Sequence, residues 1–124
     1  MRLLDTSVLI DVLRGSEVAT GWLASLDEVP SCSELTRAEV LRGVRSPERA
    51  RTDRLLSALR WVAVDEPVSR RAGELARQFR RSHPGLSIVD FVIAATTQLL
   101  DGDLATANVR HYPMFPGIVP PYEQ

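Results

Sequence analysis

The sequence predicts an α/β protein in which helices cover both faces of a central parallel sheet. Short apolar segments that fit buried strands alternate along the chain with longer segments whose apolar residues recur at helical spacing. Strands that alternate with helices form parallel sheets, because a parallel connection needs a crossover that is usually a helix. We expect about four to five strands in a three-layer α/β/α arrangement. Residues 1–124 are expected to form a single domain.

Composition limits the class of protein. The chain has 124 residues, of which 44% are apolar, and this is enough for one buried core. No apolar run approaches the roughly 20 residues that span a bilayer, and the N-terminus lacks the order of a signal peptide. We therefore expect a cytoplasmic protein without a membrane segment. Cys32 is the only cysteine. It excludes an internal disulfide and a thiolate zinc site, and we expect it to be a small buried residue.

The basic residues are unusual in kind rather than in number. The formal net charge is -1, yet all 15 basic residues are arginine. Arginine suits bidentate contacts to phosphate, although genomic base composition is the simpler explanation for the absence of lysine. Several arginines concentrate between residues 37 and 54, which indicates either a local basic surface or two solvated helix faces. They are Arg37, Arg42, Arg45, Arg49, Arg51 and Arg54.

The first half of the chain predicts two strands and three helices. Leu3-Leu4 runs into a carboxylate, and the Thr-Ser pair that follows can cap a helix. Gly15 ends that helix, and the next one places Val18, Trp22 and Leu26 on one face. The predicted elements are a strand that ends at Asp5, helices at Ser7–Leu13 and Glu17–Leu26, a strand at Val29–Ser33 and a helix at Thr36–Val44.

The second half continues the alternation. Ser46 can cap a helix with Pro47 at its first position, and this helix turns leucines inward. The helix beginning at Ser87 is the most apolar and is therefore expected to be buried. The predicted elements are a helix from Ser46 to Leu59, a strand at Trp61–Val64, a helix at Pro67–Arg80, a turn at His83-Pro84-Gly85, a helix at Ser87–Leu100, a strand at Asp103–Asn108 and an edge strand at Gly117–Val119.

Acidic residues occur at or near several predicted helix starts. Glu39 and Asp90 each complete an S/T-x-x-E/D capping pattern, with Thr36 and Ser87 respectively, and Asp5 is itself a possible N-cap. Helix capping therefore explains each acid taken alone. In one parallel sheet, however, all of them would project toward the carboxyl ends of the strands, where α/β proteins bind ligands. Capping does not predict that convergence.

Further features favour a site. Gly43 lies four residues after Glu39 on the same helical face, where a missing side chain allows another element to approach closely. Asp90 lies in the first turn of a helix that is apolar nearly all round, so its carboxylate is held rigidly. Clustered carboxylates raise one another's pKa and are stable near neutral pH chiefly when a cation is bound. Oxygen ligands without Cys or His indicate Mg²⁺ or Mn²⁺.

The motifs, each weak alone, occur in a specific order: Leu4-Asp5-Thr6-Ser7-Val8, Glu39 with Gly43, Asp90 with Ile93-Ala94-Ala95-Thr96, and Leu104-Ala105-Thr106-Ala107-Asn108. Over essentially the whole chain this set resembles the PIN-domain family, and more narrowly the VapC-type toxins of bacterial toxin–antitoxin modules. The resemblance implies a PIN-like fold and a metal-dependent endoribonuclease in which Asp5, Glu39 and Asp90 hold Mg²⁺ or Mn²⁺. It also implies a homodimer, a 5′-phosphate product and inhibition by a small VapB-like antitoxin.

One position departs from the family pattern. A fourth acid often follows the Thr-x-Asn strand in the family, and His111 stands in its place here. We expect His111 to be a surface or hydrogen-bonded residue rather than a ligand, so that a second metal joins only with substrate. Thr6, Thr106 and Asn108 are expected as hydrogen-bonding neighbours of the acids or of the scissile phosphate. Asp11 is expected to be solvated or to support the site indirectly.

Other functions remain as alternatives. A phospho-accepting receiver module places acids at strand ends in a similar way, but that family relies on a lysine and the chain has none. A PIN-like module that binds RNA or protein without cutting is the stronger alternative, because the fourth acid is missing. The helix around Trp22, Leu23 and Leu26 is a candidate docking surface for an antitoxin, although core packing is the expected role of Trp22.

Overall fold

A parallel sheet of four short strands forms the centre of the structure, a computed structural model that describes residues 1–123. The chain runs from β1 outward through β2 to β3 on one side and then returns to place β4 on the other side of β1, which makes the strand order β3-β2-β1-β4. Strand order therefore reverses beside β1, and the crevice for a ligand opens there, at the carboxyl ends of β1 and β4. The strands are β1 (Arg2–Leu4), β2 (Ser31–Ser33), β3 (Arg60–Val62) and β4 (Asp103–Ala105).

Helices cover both faces of the sheet, as predicted for a PIN-like α/β/α fold. Six α-helices lie within the described residues, together with 3-10 turns at Ser46–Glu48 and Val109–His111. The helices are α1 (Thr6–Leu13), α2 (Glu17–Ala24), α3 (Glu34–Arg42), α4 (Arg49–Ser57), α5 (Glu66–Phe79) and α6 (Ile88–Leu99).

Leu3 and Leu4 of β1 pack into different cores, one on each face of the sheet. Successive side chains of a strand point to opposite faces. Leu3 accordingly belongs to the core under α5 and α6, whereas Leu4 belongs to the core under α1, α3 and α4. Both leucines are fully buried. Cys32 is fully buried in the second core, which confirms that it is a small buried residue, and this burial raises the pKa of its thiol to about 12.

Helix α6 is buried along most of its length, as its composition predicts. Residues 90–97 are all buried, and the helix packs mainly against α5. Two hydroxyls inside this apolar environment are satisfied locally, because Thr96 and Thr97 donate to the carbonyls of Val92 and Ile93 at 2.8 and 2.9 Å. The helix therefore forms a rigid support for the acid in its first turn.

Helix α3 begins earlier than the sequence predicts, and two interpretations based on it were wrong. Ser33 caps α3 by accepting a hydrogen bond from the Leu35 amide at 3.2 Å. Thr36 thus lies inside the helix and forms no capping box with Glu39. Gly43 ends the helix, and a Cβ there would only meet the Val40 carbonyl oxygen at 4.0 Å. The glycine therefore does not admit a close neighbour.

The C-terminal tail adds no strand to the described sheet, so the predicted edge strand at Gly117–Val119 was wrong. Prolines cannot donate to a strand ladder, and they occur just before and just after this segment. The tail instead packs on α1 and α2. Tyr122 is 9% exposed, its ring lies 5.9 Å from that of Trp22, and its hydroxyl donates to Asp11 Oδ2 at 2.7 Å. Asp11 is therefore hydrogen-bonded rather than simply solvated.

Smaller differences concern the ends of other elements. Helix α2 buries Ala19 rather than Val18, which is 52% exposed. Trp22 and Leu23 pack against the core, which agrees with the packing role expected for Trp22. Ser46 and Pro47 lie in the 3-10 turn that precedes α4 instead of in the helix itself. Within residues 1–123 no helix combines the length and the apolar character that crossing a membrane requires.

Candidate active site

A pocket of about 510 Å³ opens at the carboxyl ends of β1 and β4. Three different elements bring the predicted acids to its wall. Asp5 directly follows β1, Glu39 extends from α3, and Asp90 lies in the first turn of α6. The fold thus places all three acids on one pocket, at the edge of the sheet that the parallel arrangement predicts. Asn108 and His111 line the same pocket.

Asp5 is the most strongly held of these acids. Its Oδ2 accepts hydrogen bonds from Ser7 Oγ and Thr106 Oγ1, both at 2.7 Å, and its Oδ1 accepts one from the Tyr112 hydroxyl at 2.8 Å. The residue is 5% exposed. Although Asp5 occupies the N-cap position of α1, its side chain makes no capping bond. Capping therefore does not explain this carboxylate.

Glu39 is tied to the helix that follows Asp5. Thr6 Oγ1 donates to Glu39 Oε1 at 2.6 Å and lies 3.0 Å from the buried Thr36 hydroxyl. This polar bridge joins α1 to α3 and fixes the spacing between Asp5 and Glu39. Thr6 is thus a hydrogen-bonding neighbour of an acid, as the sequence predicts.

Asp90 combines a capping role with a place in the pocket. Its Oδ2 accepts from the Ser87 amide at 3.0 Å, and its own amide donates to Ser87 Oγ at 3.4 Å, which forms the predicted capping box. The other carboxylate oxygen, Oδ1, lies 3.3 Å from His111 Nδ1. His111 is half-exposed and hydrogen-bonded, in line with the expectation for this position.

Tyr112 and Ser7 are site residues that sequence reasoning missed. The Tyr112 side chain is 1% exposed. Burial, together with the charges of Asp5, Asp90 and Glu39, raises its pKa, so its hydroxyl stays protonated and donates to Asp5. Ser7 donates to Asp5 and accepts from the Ala107 amide at 3.1 Å, which links α1 to the segment after β4. The Thr-Ser pair after Asp5 was a usable signal for Ser7, but nothing near Tyr112 in the chain indicates its partner.

The other predicted supporting residues lie after β4. Thr106 is fully buried and donates to Asp5, as described above. The Asn108 amide donates to Thr106 Oγ1 at 2.9 Å, which turns the chain toward the pocket. The structure therefore places Thr6 and Thr106 in hydrogen bonds with acids, whereas Asn108 lines the pocket and bonds Thr106 rather than an acid.

The donor set of the pocket fits a hard cation that keeps part of its water shell. In the salt bridges of residues 1–123, no arginine pairs with Asp5, Glu39 or Asp90. Within the same residues, no three acidic, His or Cys side chains form a compact metal-binding group. Mg²⁺ usually retains several waters and takes only one or two carboxylates directly. Carboxylates spread around a roomy pocket match that behaviour better than a closed cage.

Comparison with known proteins gives the family of the chain. The sequence matches the PIN domain family over residues 2–113. The chain belongs to the PIN domain family. This PIN domain is 47% identical over 125 residues to Ribonuclease VapC19 of Mycobacterium tuberculosis, across 98% of this chain and 100% of the relative. It is 42% identical over 124 residues to Ribonuclease VapC10 of the same organism, across 98% and 93% of the two chains.

Solved structures extend the likeness to the fold of this PIN domain. One chain of a structure described as a toxin-antitoxin complex from Klebsiella pneumoniae superposes on this PIN domain with a TM-score of 0.85. The two chains are 29% identical, and the superposition covers 100% of both. A chain of FitAB bound to IR36 DNA fragment superposes with a TM-score of 0.81, at 25% identity, and covers 100% of this chain and 97% of that one. The family match and the two ribonuclease VapC relatives confirm the resemblance to VapC-type toxins that the motifs indicate.

Proposed function

We propose that this PIN domain is an endoribonuclease toxin that hydrolyses RNA phosphodiester bonds with bound Mg²⁺ or Mn²⁺. The observation that carries the proposal is the meeting of Asp5, Glu39 and Asp90 on one pocket. Its support from relatives is the 47% identity to a protein named Ribonuclease VapC19. We assign the three acids as the metal ligands and the catalytic residues.

The site needs positive charge before it can accept a phosphodiester. RNA phosphate is anionic, so carboxylates alone would repel it. Asp5, Glu39 and Asp90 would hold a divalent cation, which would offset that charge and would supply an activated water as the nucleophile. The protein's own contribution is orientation. Ser7, Thr106 and Tyr112 hold Asp5, Thr6 holds Glu39, and the capping box holds Asp90. Pre-oriented ligands reduce the entropy lost on metal and substrate binding.

A restraining partner belongs to the same proposal. The Klebsiella pneumoniae structure described as a toxin-antitoxin complex contains a chain similar to this one over its full length. We assign a small VapB-like antitoxin as the partner and a homodimer as the form of the toxin. We call the pocket lined by Asp5, Glu39 and Asp90 the acidic pocket. A basic side chain of the antitoxin that enters the acidic pocket would exclude the cation and the RNA phosphate together.

Cleavage of RNA by the purified chain tests the proposal. With Mn²⁺ present and no antitoxin, we expect cellular RNA to be cut, leaving 5′-phosphate ends that sequencing of the products identifies. Asp5→Asn should lower the rate about a hundredfold or more, because it removes charge from the metal site. Glu74→Gln is the matched control, since Glu74 is exposed and pairs with Arg71 on α5. A chain that binds RNA but leaves it intact would support the non-cleaving alternative instead.

A further inference from the structure

A second pocket adjoins the acidic pocket along helix α1. Its volume is about 340 Å³, and residues of α1, the end of α3, the 3-10 turn and α4 line it. Ile10 and Arg14 line both pockets. Arg14 therefore stands where the two meet. We call the second pocket, with its lining residues Ile10, Leu13, Arg14, Val40, Arg45 and Arg51, the arginine groove.

The charge of the arginine groove is opposite to that of the acidic pocket. Arg14, Arg45 and Arg51 line it, and Glu48 is the acid among its lining residues. Glu48 is already engaged, because the Arg45 amide and guanidinium donate to its carboxylate at 3.1 and 3.2 Å. The Arg45 side chain is nevertheless 81% exposed and can reach a ligand. An excess of guanidinium groups favours an anionic partner.

Arg51 links the two helices, α1 and α4, that lie on either side of the groove. Its guanidinium donates to the carbonyl oxygen of Leu13 at the end of α1, so α4 is held against α1. A guanidinium has five N–H donors, and one such bond leaves donors for a ligand. The lining also contains apolar side chains, of which Ile10 and Leu13 are half-buried, while Val40 is 3% exposed and belongs to the core. The guanidinium groups are therefore the part of the groove that would contact an RNA strand, and contacts to phosphate carry no base sequence.

We propose that single-stranded RNA leaves the acidic pocket past Arg14 and continues in the arginine groove, where Arg14 and Arg45 bind the flanking phosphates. This inference rests on the proposed function, because the scissile phosphate must lie against the acids. Arg14 is exposed and lines both pockets, so its guanidinium is available to a strand that passes from one pocket to the other. An acidic protein segment would also match the groove, but the proposed function already places an RNA phosphate in the adjoining pocket, so RNA is the occupant that spans both pockets.

The salt dependence of RNA binding tests this path. The background is Asp5→Asn with a fixed concentration of Mn²⁺, because this variant slows cleavage while the cation still lets the pocket accept a phosphate. The probe is a short fluorescent single-stranded RNA of mixed sequence, and binding is read before the probe is cut. Each phosphate contact to a single strand contributes about 0.7 to the slope of log K against log salt concentration. Adding Arg14→Gln and Arg45→Gln should therefore reduce the slope by about 1.4 and weaken binding about tenfold or more near 0.1 M salt. Lysine at both positions should restore the slope.

Arg70→Gln is the matched control. Arg70 is 75% exposed and pairs with Glu66 on α5, a helix that packs on the other face of the sheet. Its loss should leave the slope unchanged. Melting curves confirm that each variant is folded, since the substituted side chains are solvent-exposed.

An unchanged slope in the folded double variant would overturn the proposed path. If that variant also loses affinity for the antitoxin, the groove binds the protein partner instead. This failure is distinct from failure of the proposed function. A chain that cuts RNA with Mn²⁺, but whose salt slope does not depend on Arg14 and Arg45, refutes the groove alone. A chain with Asp5 intact that cuts no RNA refutes the endoribonuclease itself.

Discussion

Tyr112 and Tyr122 are buried tyrosines that each donate a hydrogen bond to an aspartate lining the acidic pocket. Tyr112 donates to Asp5 at 2.8 Å, and Tyr122 donates to Asp11 at 2.7 Å. The chemistry of the two bonds is the same, but only Asp5 is among the acids assigned to the metal. The pair therefore separates the effect of a buried hydrogen bond on stability from its effect on catalysis.

Substitution of Tyr112 by Phe tests whether its hydroxyl positions Asp5. The ring and its packing remain, while one of three donors to the carboxylate is lost. Hydrogen bonds to charged groups contribute about 1.5–3 kcal/mol, so we expect a lower melting temperature. We also expect about tenfold slower RNA cleavage and weaker Mn²⁺ binding by calorimetry, because the ligand is less well oriented. Tyr122→Phe should lower the melting temperature while leaving Mn²⁺ binding intact. Equal losses of Mn²⁺ affinity in both variants would contradict the assignment.

The residue-level prediction succeeded where a local pattern was present. Asp5, Glu39 and Asp90 each stand out because they follow strand or capping signals, and the fold brings them to one pocket. Tyr112 escaped prediction because its partner is 107 residues away in the chain. A hydrogen bond over that distance leaves no mark on local periodicity or composition.

The N-terminal caps of α3 and α6 position two of the acids. Helix α6 begins with the Ser87–Asp90 capping box, so the same side chain that closes the helix also faces the pocket. Helix α3 begins at Glu34 because Ser33 is its cap, and this carries Glu39 onto the second turn, within reach of Thr6. Both acids therefore owe their orientation to serine caps, although only one of those caps was identified from the sequence.

Ser87→Ala tests the link between capping and the site. Loss of an N-cap costs about 1 kcal/mol of unfolding free energy, and here it also removes a hydroxyl that donates to Asp90 at 3.2 Å. We expect urea denaturation to show this loss of stability and cleavage to slow severalfold. Ser16→Ala is the matched control, because Ser16 caps α2 by accepting from the Ala19 amide at 3.1 Å and holds none of the three acids. If both variants slow cleavage equally, the cap of α6 has no special role in the site.

At the scale of the whole molecule, the fold holds three carboxylates around one pocket without an arginine partner among the described residues. Like charges that share a site repel, so we expect the three carboxylates to reduce the stability of the protein when no cation is bound. A protein of this kind should gain stability from a cation that binds only the folded state.

Thermal melting with and without metal tests this balance. A ligand at 100 times its Kd stabilises the folded state by about 2.7 kcal/mol, so saturating Mn²⁺ should raise the melting temperature by several degrees. Glu39→Gln keeps an acceptor for Thr6 but removes one charge. We expect it to melt higher than the parent in EDTA and to respond less to Mn²⁺. Glu74→Gln should change neither value. A melting temperature that ignores Mn²⁺, with Glu39→Gln only destabilising, would indicate that the acids serve structure alone.

Local patterns in the sequence were enough to predict the alternation of strands and helices, the buried character of α6 and a carboxylate at the end of β1 and in the first turn of α6. Those features rest on interactions between residues a few positions apart, whose spacing is visible in the chain. Packing between distant segments is needed to bring the three acids to one pocket, to place Thr106 and Tyr112 against Asp5, to hold Tyr122 on α1 and α2, and to place Arg14 between the acidic pocket and the arginine groove. These contacts join segments far apart in sequence, and their geometry exists only once the sheet has brought the segments together.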